Sequence, residues 1–504
     1  MKKIGFDNEK YLFEQKKAIL ERIEKFSGKL YLEFGGKLFY DYHAARVLPG
    51  YDPNIKIKLL KSLKDKLDII LCIYAGDIEK GRIRGDFGIT YDVDALKLID
   101  DLRENDLEVV GVVITRFANQ PQAIRFKNRL ELHKIKVYLH PATQGYPTDV
   151  DTIVSEAGYG RNSYIETYNR IVVVTGPGPG SGKLATCLSQ LYHDYKRGIK
   201  SGYAKFETFP IWNIPLKHPV NIAYEAATAD IGDFNLIDPF HLSTYNKTAV
   251  NYNRDVEIFP VLKRIMEKIM GSEIIYHSPT DMGVNRAGFA IIDDAVVSEA
   301  AKQEVIRRYF RYRYENLLGI EKKEVVERVE LLMEELGCLP EDRNVVKPAR
   351  ESAEKAQQKL KDSSILGCGA SIELPDGRIV TGKNSLLMSA SSSLILNAIK
   401  VLAGIPNNIH LLSPKIIEQI SSLKKNILHM KREVLDLDET LIALSMSSAT
   451  NPTAEIAMEK LKELAGCEAH LTYAPTPGDE VGLRRLRINV TTDGNFPYRD
   501  LFIT

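Results

Sequence analysis

The stretch that most constrains the fold runs from Arg170 to Gly198, RIVVVTGPGPGSGKLATCLSQLYHDYKRG. Four β-branched residues at 171–174 predict a short buried parallel strand, and a loop of glycine, proline and one serine follows at 176–182. Apolar residues then recur at helical spacing, which predicts a helix that ends at Gly198. Strand, glycine-rich turn and helix in this order indicate an α/β protein.

The composition of the loop predicts a site for phosphate groups. Small residues let backbone N–H groups face a phosphate, a helix N-terminus adds positive potential, and Lys183 adds a full charge. The GPGSGK segment at 178–183 resembles the phosphate loop of small P-loop kinases. The residues predicted to bind the phosphate-bearing cofactor are Gly176, Gly178, Gly180, Ser181, Gly182, Lys183 and Thr186.

The loop departs from the P-loop pattern at two positions. Counting back from Lys183 places Pro177 where the pattern has its first glycine, and Leu184 stands where it has a magnesium-binding hydroxyl. Thr186, in the first helical turn, is the candidate replacement for that hydroxyl. The dinucleotide fingerprint fits less well, because its third glycine falls on Ser181. A glycine turn that serves only helix packing is the alternative.

The whole chain predicts a multidomain cytoplasmic protein. Its length of 504 residues, with 44% apolar content, suffices for roughly two to four domains. Lys plus Arg (68) nearly balance Asp plus Glu (67), so bulk charge predicts neither nucleic acid nor a membrane as a partner. Scattered cysteines give no zinc or haem signature and, with no apolar signal region, favour a reducing cytoplasm.

Apolar runs alternate with helical patterns in the first half of the chain. Runs at 67–77, 107–117 and 135–140 each follow a predicted helix, which is the rhythm of a parallel, doubly wound sheet of the P-loop or Rossmann kind. Ligands bind beyond the carboxyl ends of the strands in such sheets. The pocket residues predicted on this ground are Asp77, with a helix cap as its alternative role, Thr115 and Arg116.

Residues 201–257 predict a binding insertion. The segment holds the only tryptophan, Trp212, and many polar and aromatic residues with little helical period. Such an irregular segment is either a system of binding loops or a poorly ordered insertion, and its aromatic content favours binding. The candidate contacts to a polar substrate are His218, Asn221, Glu225, His241, Asn246, Lys247, Asn253, Arg254 and Asp255.

Three acidic or basic residues further along complete the predicted site. Asp293 follows an apolar run at 287–292, and a strand closed by an acid is the pattern of a magnesium-orienting Walker B carboxylate, although many ordinary strands end this way. Asp281 lies in the turn-like SPTDMG segment, and His277 comes just before it. The candidate catalytic residues are Lys183, His277 and Asp281, and the candidate metal ligand is Asp293.

The second half of the chain predicts a helical section and a second α/β domain. Apolar stripes predict packing helices within 298–363, and the run RRYFRYRY at 307–314 fits a helix with a core face better than a nucleic-acid groove. The order of elements in 364–504 is deaminase-like, but the H-x-E and P-C-x-x-C zinc signature is missing. The region 1–297 before these sections is the predicted phosphate-binding region.

The chain resembles, over almost its entire length, a bacterial family of domains of unknown function. The match is carried by LEFGGKLFYDYHAARVLPGY, VVVTGPGPGSGKLATCLSQLYH, ETFPIWNIPLKHPVNIAYEAATAD and GKNSLLMSASSSLILNAIKVLAG. The resemblance implies a nucleotide-type α/β region, a small helical region and a C-terminal α/β domain of deaminase-like topology. Some members are labelled ATP-dependent peptidases, but this sequence has no H-E-x-x-H or G-x-S-x-G motif to support that label.

These observations lead to two main functional hypotheses. The first is an enzyme, a phosphotransferase or ligase that uses ATP or another nucleoside triphosphate with Mg²⁺ and holds its second substrate at 201–257. The second is a non-catalytic sensor of a nucleotide or small phosphorylated ligand, whose other parts form a homo-oligomer. A sugar-phosphate or dinucleotide enzyme is a third. Turnover separates the first two, because only an enzyme releases ADP, GDP or phosphate.

Overall fold

The computed structural model describes residues 3–84, 88–271, 275–360, 366–430 and 433–496. The chain forms two compact units, Lys2–Ala301 and Lys302–Thr504.

The first unit is built on a parallel sheet of seven strands. The unit as a whole contains the strands β1 (Leu30–Phe34), β2 (Leu67–Tyr74), β3 (Ile83–Arg84), β4 (Ile89–Thr90), β5 (Val109–Thr115), β6 (Val137–His140), β7 (Ile171–Thr175), β8 (Gly202–Phe206), β9 (Asn235–Ile237), β10 (Val250–Tyr252) and β11 (Gly283–Val284). The large sheet has the order β11–β8–β1–β7–β2–β5–β6, and every neighbouring pair in it is parallel. β3 with β4 and β9 with β10 form two small antiparallel pairs.

The helices of the first unit alternate with these strands. They are α1 (Asn8–Glu24), α2 (Tyr42–Val47), α3 (Ile55–Lys61), α4 (Ala75–Glu79), α5 (Tyr91–Arg103), α6 (Pro121–Leu132), α7 (Val150–Ile153), α8 (Lys183–Lys196), α9 (Pro219–Ala227), α10 (Pro239–Tyr245), α11 (Asn253–Met270) and α12 (Pro279–Met282). The predicted α/β alternation and the predicted buried strand at 171–174 are confirmed.

The apolar runs form strands because both faces of the sheet are covered. All five residues of β7 are buried, as are the first seven of β2. Alternate side chains of β2 and β5, among them Ile73 and Ile114, share one core cluster with Ile99 of α5 and Leu130 of α6. The sheet is therefore held by apolar burial on the side of α4, α5 and α6.

The strand order places β7 at a topological switch point. The chain passes from β2 to β5 in one direction along the sheet and from β7 to β8 in the opposite direction. Because both connections are right-handed crossovers, the helices that connect β2 to β5 and β7 to β8 lie on opposite faces of the sheet. Accordingly α4 contacts α5 and α6, whereas α8 contacts α11, which in turn contacts α7. In parallel sheets ligands bind where neighbouring strands send the chain to opposite faces, and the loop after β7 follows a strand at this position.

Two local predictions in the first unit are wrong. Residues 201–257 are not irregular, since they contain β8, α9, β9, α10 and β10. The predicted strand at 287–292 is a short 3₁₀ helix at Ala287–Ala290, and only Ile291 forms a bridge, to Phe6. Part of the apolar run before His277, residues 272–274, lies outside the described residues.

The second unit contains a four-stranded sheet flanked by helices. Its strands are β12 (Gly369–Glu373), β13 (Ile379–Lys383), β14 (Glu468–Tyr473) and β15 (Asn489–Asn495), and their order is β13–β12–β14–β15. β12 is antiparallel to both neighbours, whereas β14 and β15 are parallel. The predicted Asp376–Gly377 turn joins β12 to β13, with Gly377 at φ +86°.

The helices from α13 onward include the predicted packing helices. They are α13 (Asp294–Leu317), α14 (Lys323–Leu336), α15 (Val346–Gln357), α16 (Ala390–Ala403), α17 (Pro414–Ser422), α18 (Leu437–Ser448), α19 (Pro452–Glu459) and α20 (Pro477–Arg485). The run at 307–314 is helical as predicted, and α14 ends at the predicted glycine, Gly337, which adopts φ +64°. None of the helices in the described ranges combines the length and apolar content that a bilayer span requires.

Candidate functional site

The glycine-rich loop joins β7 to the N-terminus of α8. Gly176 follows the last residue of β7, and Gly182 precedes the first residue of α8 with φ +92°. Gly180 also has a positive φ, +70°. L-residues seldom adopt this conformation, so the glycines at these two positions allow the sharp reversal from strand to helix.

The loop is fixed from one side by residues that end β5. The Thr115 hydroxyl donates a hydrogen bond to the carbonyl oxygen of Ser181 at 2.8 Å. The Arg116 guanidinium donates to the carbonyl oxygen of Gly180 at 2.5 Å and lies 3.5 Å from the ring centroid of Tyr74. Both residues were predicted to lie near a ligand pocket, and both contact the predicted phosphate loop directly.

Most backbone N–H groups of the loop are not used by the protein. Within the described part of the chain, no group accepts a hydrogen bond from the backbone N–H of Gly178, Gly180 or residues 182–185, whereas residues 179–180 form a turn in which the Ser181 N–H faces the carbonyl group of Gly178. Carbonyl oxygens of the loop, in contrast, accept hydrogen bonds from Thr115, Arg116 and Lys183. The loop therefore keeps most of its donors available and has its acceptors occupied, which is the polarity that an anion site requires.

The Lys183 ammonium group lies over the same loop. Its Nζ is 3.3 Å from the carbonyl oxygen of Gly178 and 3.4 Å from the hydroxyl of Ser181. These contacts are long for hydrogen bonds from a charged donor, so an anion in front of the loop would compete for this ammonium group. Lys183 and the free N–H groups thus occupy one short stretch of chain.

Thr186 lies behind the loop. Its side chain is buried, and its hydroxyl accepts a hydrogen bond from the Cys72 thiol at 3.4 Å. Burial raises the pKa of the Cys72 thiol to about 12, so this sulfur stays protonated at neutral pH. The role of Thr186 in place of the missing magnesium-binding hydroxyl stays a prediction, and it requires the contact with Cys72 to break.

A cavity of about 190 Å³ lies beyond the carboxyl ends of β8 and β11. Glu207 follows β8, and Asn285 and Arg286 follow β11. Its other lining residues are Arg22, Pro210, Trp212, His241, Val250, Asn251, Pro279, Thr280, Asp281 and Gly283. The glycine-rich loop does not line this cavity, so the first unit has two separate candidate sites at one edge of its sheet.

A buried network of charged residues holds Glu207, one of the acidic residues that line the cavity. Lys205 Nζ lies 2.9 Å from Glu207 Oε1 and 2.6 Å from Asp255 Oδ2. The Tyr252 hydroxyl lies 3.4 Å from the same Glu207 oxygen. Burial raises the pKa of Glu207 to about 7, with a further contribution from Asp255 and an opposing one from Lys205. A carboxyl group that titrates near neutral pH in a cavity can both donate and accept a proton.

Two guanidinium groups also line the cavity, those of Arg22 and Arg286. Arg22, on α1, donates long hydrogen bonds to the carbonyl oxygens of Met282 (3.5 Å) and Gly283 (3.4 Å). Burial lowers the pKa of Arg22, Tyr276 and the Asp281 carboxylate oppose this shift, and the positive charge of Arg286 makes a smaller lowering contribution. Neighbouring like charges of this kind attract an anion, and guanidinium groups bind planar anions with two hydrogen bonds.

The predicted catalytic residues divide between the two sites. Lys183 belongs to the glycine-rich loop, and Asp281 lines the cavity. The backbone N–H of His277 and the hydroxyl of Tyr245 each donate to Asp281 Oδ2 at 2.9 Å, which places His277 next to the cavity by its backbone. His241, from the predicted binding insertion, lies 3.9 Å from Asp281 Oδ1.

The other predicted residues have mainly structural contacts. Asp293 accepts a hydrogen bond from the Val296 N–H at 3.1 Å at the start of α13, and the strand that suggested its metal role does not exist. Its metal role stays a prediction. Groups of three or more His, Cys, Asp or Glu side chains arranged to hold a metal are not found among the described residues. Asp77 pairs with Arg82 at 3.4 Å rather than with the loop.

Sequence reasoning missed Arg22, Glu207 and Arg286. Glu207 directly follows β8, just as Asp77 ends the apolar run at 67–77. The argument from strand ends that identified Asp77 would therefore also have identified Glu207 if β8 had been recognised in the sequence. Lys205 interrupts the apolar residues of β8 and hides the strand. Arg22 had no signal of its own, because only the packing of α1 beside β11 brings it to the cavity.

The fold and the two candidate sites define an α/β protein with a parallel seven-stranded sheet and a glycine-rich loop at the carboxyl edge of that sheet. Comparison with protein families matches residues 4–337 to the domain of unknown function DUF1846, N-terminal, and residues 341–502 to the domain of unknown function DUF1846, C-terminal. The chain belongs to the DUF1846 family, which confirms the resemblance predicted from the sequence.

Individual relatives cover the chain from end to end. A UPF0371 protein of Clostridium botulinum (strain Langeland / NCTC 10281 / Type F) is 60% identical over 500 residues, which are 99% of each chain. The UPF0371 protein of Clostridium botulinum (strain Alaska E43 / Type E3) is 59% identical with the same coverage. These names record no reaction or ligand, so the function has to be argued from the two sites.

Proposed function

We propose that the loop at 176–183 binds the phosphate groups of a nucleotide or another small phosphorylated ligand. The observation that carries this proposal is the set of unused backbone N–H groups at Gly178, Gly180 and residues 182–185, next to the Lys183 ammonium group. The N-terminus of a helix adds positive potential at the same place. The position of the loop at a switch point of the parallel sheet supports the same conclusion.

The proposal extends to ATP or another nucleoside triphosphate as the ligand and to a phosphotransferase or ligase reaction. Phosphoryl transfer depends mainly on positioning and charge neutralisation, and the loop supplies groups for both. Mg²⁺ would arrive on the phosphate oxygens of the nucleotide. Thr186 is buried behind the loop and the strand that suggested a metal role for Asp293 is absent, so the proposal assigns no protein ligand to the metal.

The finer fold assignments belong to this proposal as well. A strand, a glycine-rich loop and a helix at the switch point of a parallel sheet are shared with P-loop and Rossmann proteins, which supports that assignment for the first unit. The mixed four-stranded sheet with flanking helices supports the deaminase-like topology proposed for the second unit. A cytoplasmic location and self-association complete the proposed picture and rest on the sequence alone.

The test is nucleotide-induced thermal stabilisation of the full chain. ATP with Mg²⁺ is expected to raise the melting temperature of the natural protein, because a ligand that binds only the folded state stabilises it. Lys183→Ala should lose most of this increase, whereas Lys200→Ala, which changes a lysine beyond the end of α8, should keep it. If Lys183→Ala keeps the full increase, the phosphate role of Lys183 is wrong. Release of ADP or phosphate then separates an enzyme from a sensor.

A further inference from the structure

The cavity beyond β8 and β11 is lined by side chains of different character. Arg22 and Arg286 are basic, Glu207 and Asp281 are acidic, and Trp212 with Pro210 supplies an apolar surface. Small-molecule sites combine apolar surface with a few convergent polar groups in this way. A volume of about 190 Å³ is below the usual range for drug-sized ligands, so the cavity has room only for a small molecule.

We propose that this cavity binds a small carboxylate-bearing metabolite, whose carboxylate lies between Arg22 and Arg286 and whose hydroxyl or amine faces Glu207. Each guanidinium has five N–H donors, and the contacts that Arg22 makes among the described residues, two long hydrogen bonds to backbone oxygens and one to the Tyr276 side chain, leave donors for a ligand. An anion between the two guanidinium groups would offset their mutual repulsion.

The charges around the cavity favour a carboxylate over a phosphate. Glu207 and Asp281 line the cavity together with Arg22 and Arg286, so the formal charges of these four groups cancel and leave no net positive charge to hold a dianionic phosphate. Asp281 also has its own donors, the His277 N–H and the Tyr245 hydroxyl, and so remains an acceptor beside the ligand. One negative charge on the ligand therefore fits the two arginines without a large excess of acidic groups.

The Glu207 side chain is held in place by the protein. Lys205 contacts Glu207 Oε1 at 2.9 Å, and Tyr252 lies 3.4 Å from the same oxygen. The second carboxyl oxygen, Oε2, is thus the one available to a ligand hydroxyl or amine. A carboxyl group in this position can accept the proton that such a group loses when it becomes a nucleophile.

The cavity lies close to the glycine-rich loop along the edge of the sheet. The registers of β8 with β1 and of β1 with β7 place Glu207, Gly35 and Gly176 in one row across three neighbouring strands. Two strand spacings separate the ends of this row, which is roughly 10 Å. If the proposed function of the loop holds, the carboxylate ligand is the acceptor or ligation partner of the nucleotide, and this part of the inference rests on that function.

Trp212 provides a direct measurement of cavity binding. It is the only tryptophan of the chain and lines the cavity, where its Nε1–H donates to the carbonyl oxygen of Asn285 at 2.9 Å. Tryptophan fluorescence of the full chain can be titrated with lactate, serine, propionate and inorganic phosphate. We expect lactate or serine to change the emission at millimolar concentration and to bind more tightly than propionate, which has no hydroxyl or amine.

Variants then separate this cavity from the loop. Arg22→Gln and Arg286→Gln should each weaken binding about tenfold or more, since each removes a charge-assisted hydrogen bond. Arg125→Gln, which changes an exposed arginine of α6, should leave it unchanged. Lys183→Ala should also leave it unchanged even if nucleotide binding is lost, so failure of the loop proposal and failure of this one give different results.

Two results would overturn the inference. One is that lactate, serine and propionate all leave the fluorescence of the natural protein unchanged, or that phosphate binds more tightly than any of them. The other is that lactate binds equally well to the natural protein and to both arginine variants. Circular dichroism of each variant establishes that it is folded, and Arg22→Lys, which keeps the charge, should recover part of the affinity.

Discussion

The hydroxyl of Thr115 donates a hydrogen bond to the carbonyl oxygen of Ser181, 66 residues later in the chain, at 2.8 Å. Through this contact the end of β5 determines the orientation of the peptide groups in the glycine-rich loop. A carbonyl group that points toward Thr115 turns the N–H of the same peptide unit, that of Gly182, in the opposite direction. The loop is therefore arranged before any ligand arrives.

Thr115→Val tests this arrangement. The change keeps the shape of the side chain but removes the donor to Ser181, so the free energy of unfolding should fall by about 1 kcal/mol. Stabilisation by ATP should fall as well, because the loop loses a contact that orders it. Urea unfolding with and without ATP measures both effects. Thr115→Ser keeps the hydroxyl and should behave like the natural protein; if it loses as much stability as Thr115→Val, the hydrogen bond to Ser181 does not explain the loss.

Two glycines of the loop form a matched pair for substitution. Gly182 has φ +92°, and a Cβ at this position would lie 2.7 Å from Thr115 Cγ2, whereas a Cβ at Gly180, φ +70°, would meet open space. Gly180→Ala should cost about 1 kcal/mol for the left-handed backbone alone. Gly182→Ala should cost clearly more, since it adds a steric overlap. Equal losses in urea unfolding would contradict the close approach of Gly182 to Thr115.

Glu207 should make the stability of the first unit depend on pH. Its pKa rises from 4.5 in the unfolded chain to about 7 in the folded one, so folding favours the protonated form. The resulting stabilisation is fully present below about pH 4.5 and is lost as the pH rises through about 7. The groups that face this carboxyl are Lys205, Asp255, Glu33 and Tyr252.

Glu207→Gln should therefore flatten the stability profile between these two pH values. Asp255→Asn removes a negative neighbour of Glu207, so the upper end of the transition should move to lower pH. Thermal unfolding monitored by Trp212 fluorescence at several pH values from 4 to 8 gives the melting temperatures that test this pH dependence. A Glu207→Gln profile that runs parallel to that of the natural protein would mean that Glu207 does not titrate in this range.

In the second unit, Asp493 connects β15 to α15 and β14. Its two carboxyl oxygens lie 3.0 Å and 2.8 Å from the Arg350 guanidinium, and the His470 ring lies 3.4 Å away. Burial alone would raise the pKa of Asp493, but His470 and Arg350 hold it well below its usual range. A lowered pKa gives stability that is present above about pH 4, the value of the unfolded side chain, and is lost as the pH falls.

Asp493→Asn should destabilise the full chain by about 2 kcal/mol at neutral pH, since it removes hydrogen bonds between charged groups. The difference from the natural protein should shrink at acidic pH. Circular dichroism in a urea series measures it. Asp376→Asn removes an exposed ion pair with Arg378 in the hairpin turn and should leave the midpoint of urea unfolding unchanged. If this midpoint shifts as much as that of Asp493→Asn, the loss of stability is a nonspecific effect of charge.

The sequence predicted the elements whose structure is determined by residues close together in the chain. The β7 strand, the glycine-rich loop and α8 follow from composition and spacing within 28 residues of Arg170, and the family resemblance is carried by such local segments. The strand β8 was missed because Lys205, which pairs with Glu207 and Asp255, interrupts its apolar residues. A charged side chain in a buried strand is tolerated only where other residues neutralise it. Because these residues are distant in the sequence, the local pattern of apolar residues does not predict such a strand.

The cavity could not be predicted as a unit for the same reason. Asp281, His241 and Trp212 were identified singly from their types, but Arg22 and Arg286 reach the cavity only because α1 packs beside β11. The predicted strand at 287–292 is wrong because an apolar run of this length packs equally well as a short helical turn.

The position of β7 between β1 and β2 has a consequence for synthesis of the protein. A ribosome delivers β1, β2, β5 and β6 before the strand that joins β1 to β2 has been translated, so until then β1 has no neighbouring strand and β2 is an unpaired edge. Completion of β7 closes this gap and creates the glycine-rich loop in the same step. Binding at the loop would then favour the finished sheet over its incomplete precursors.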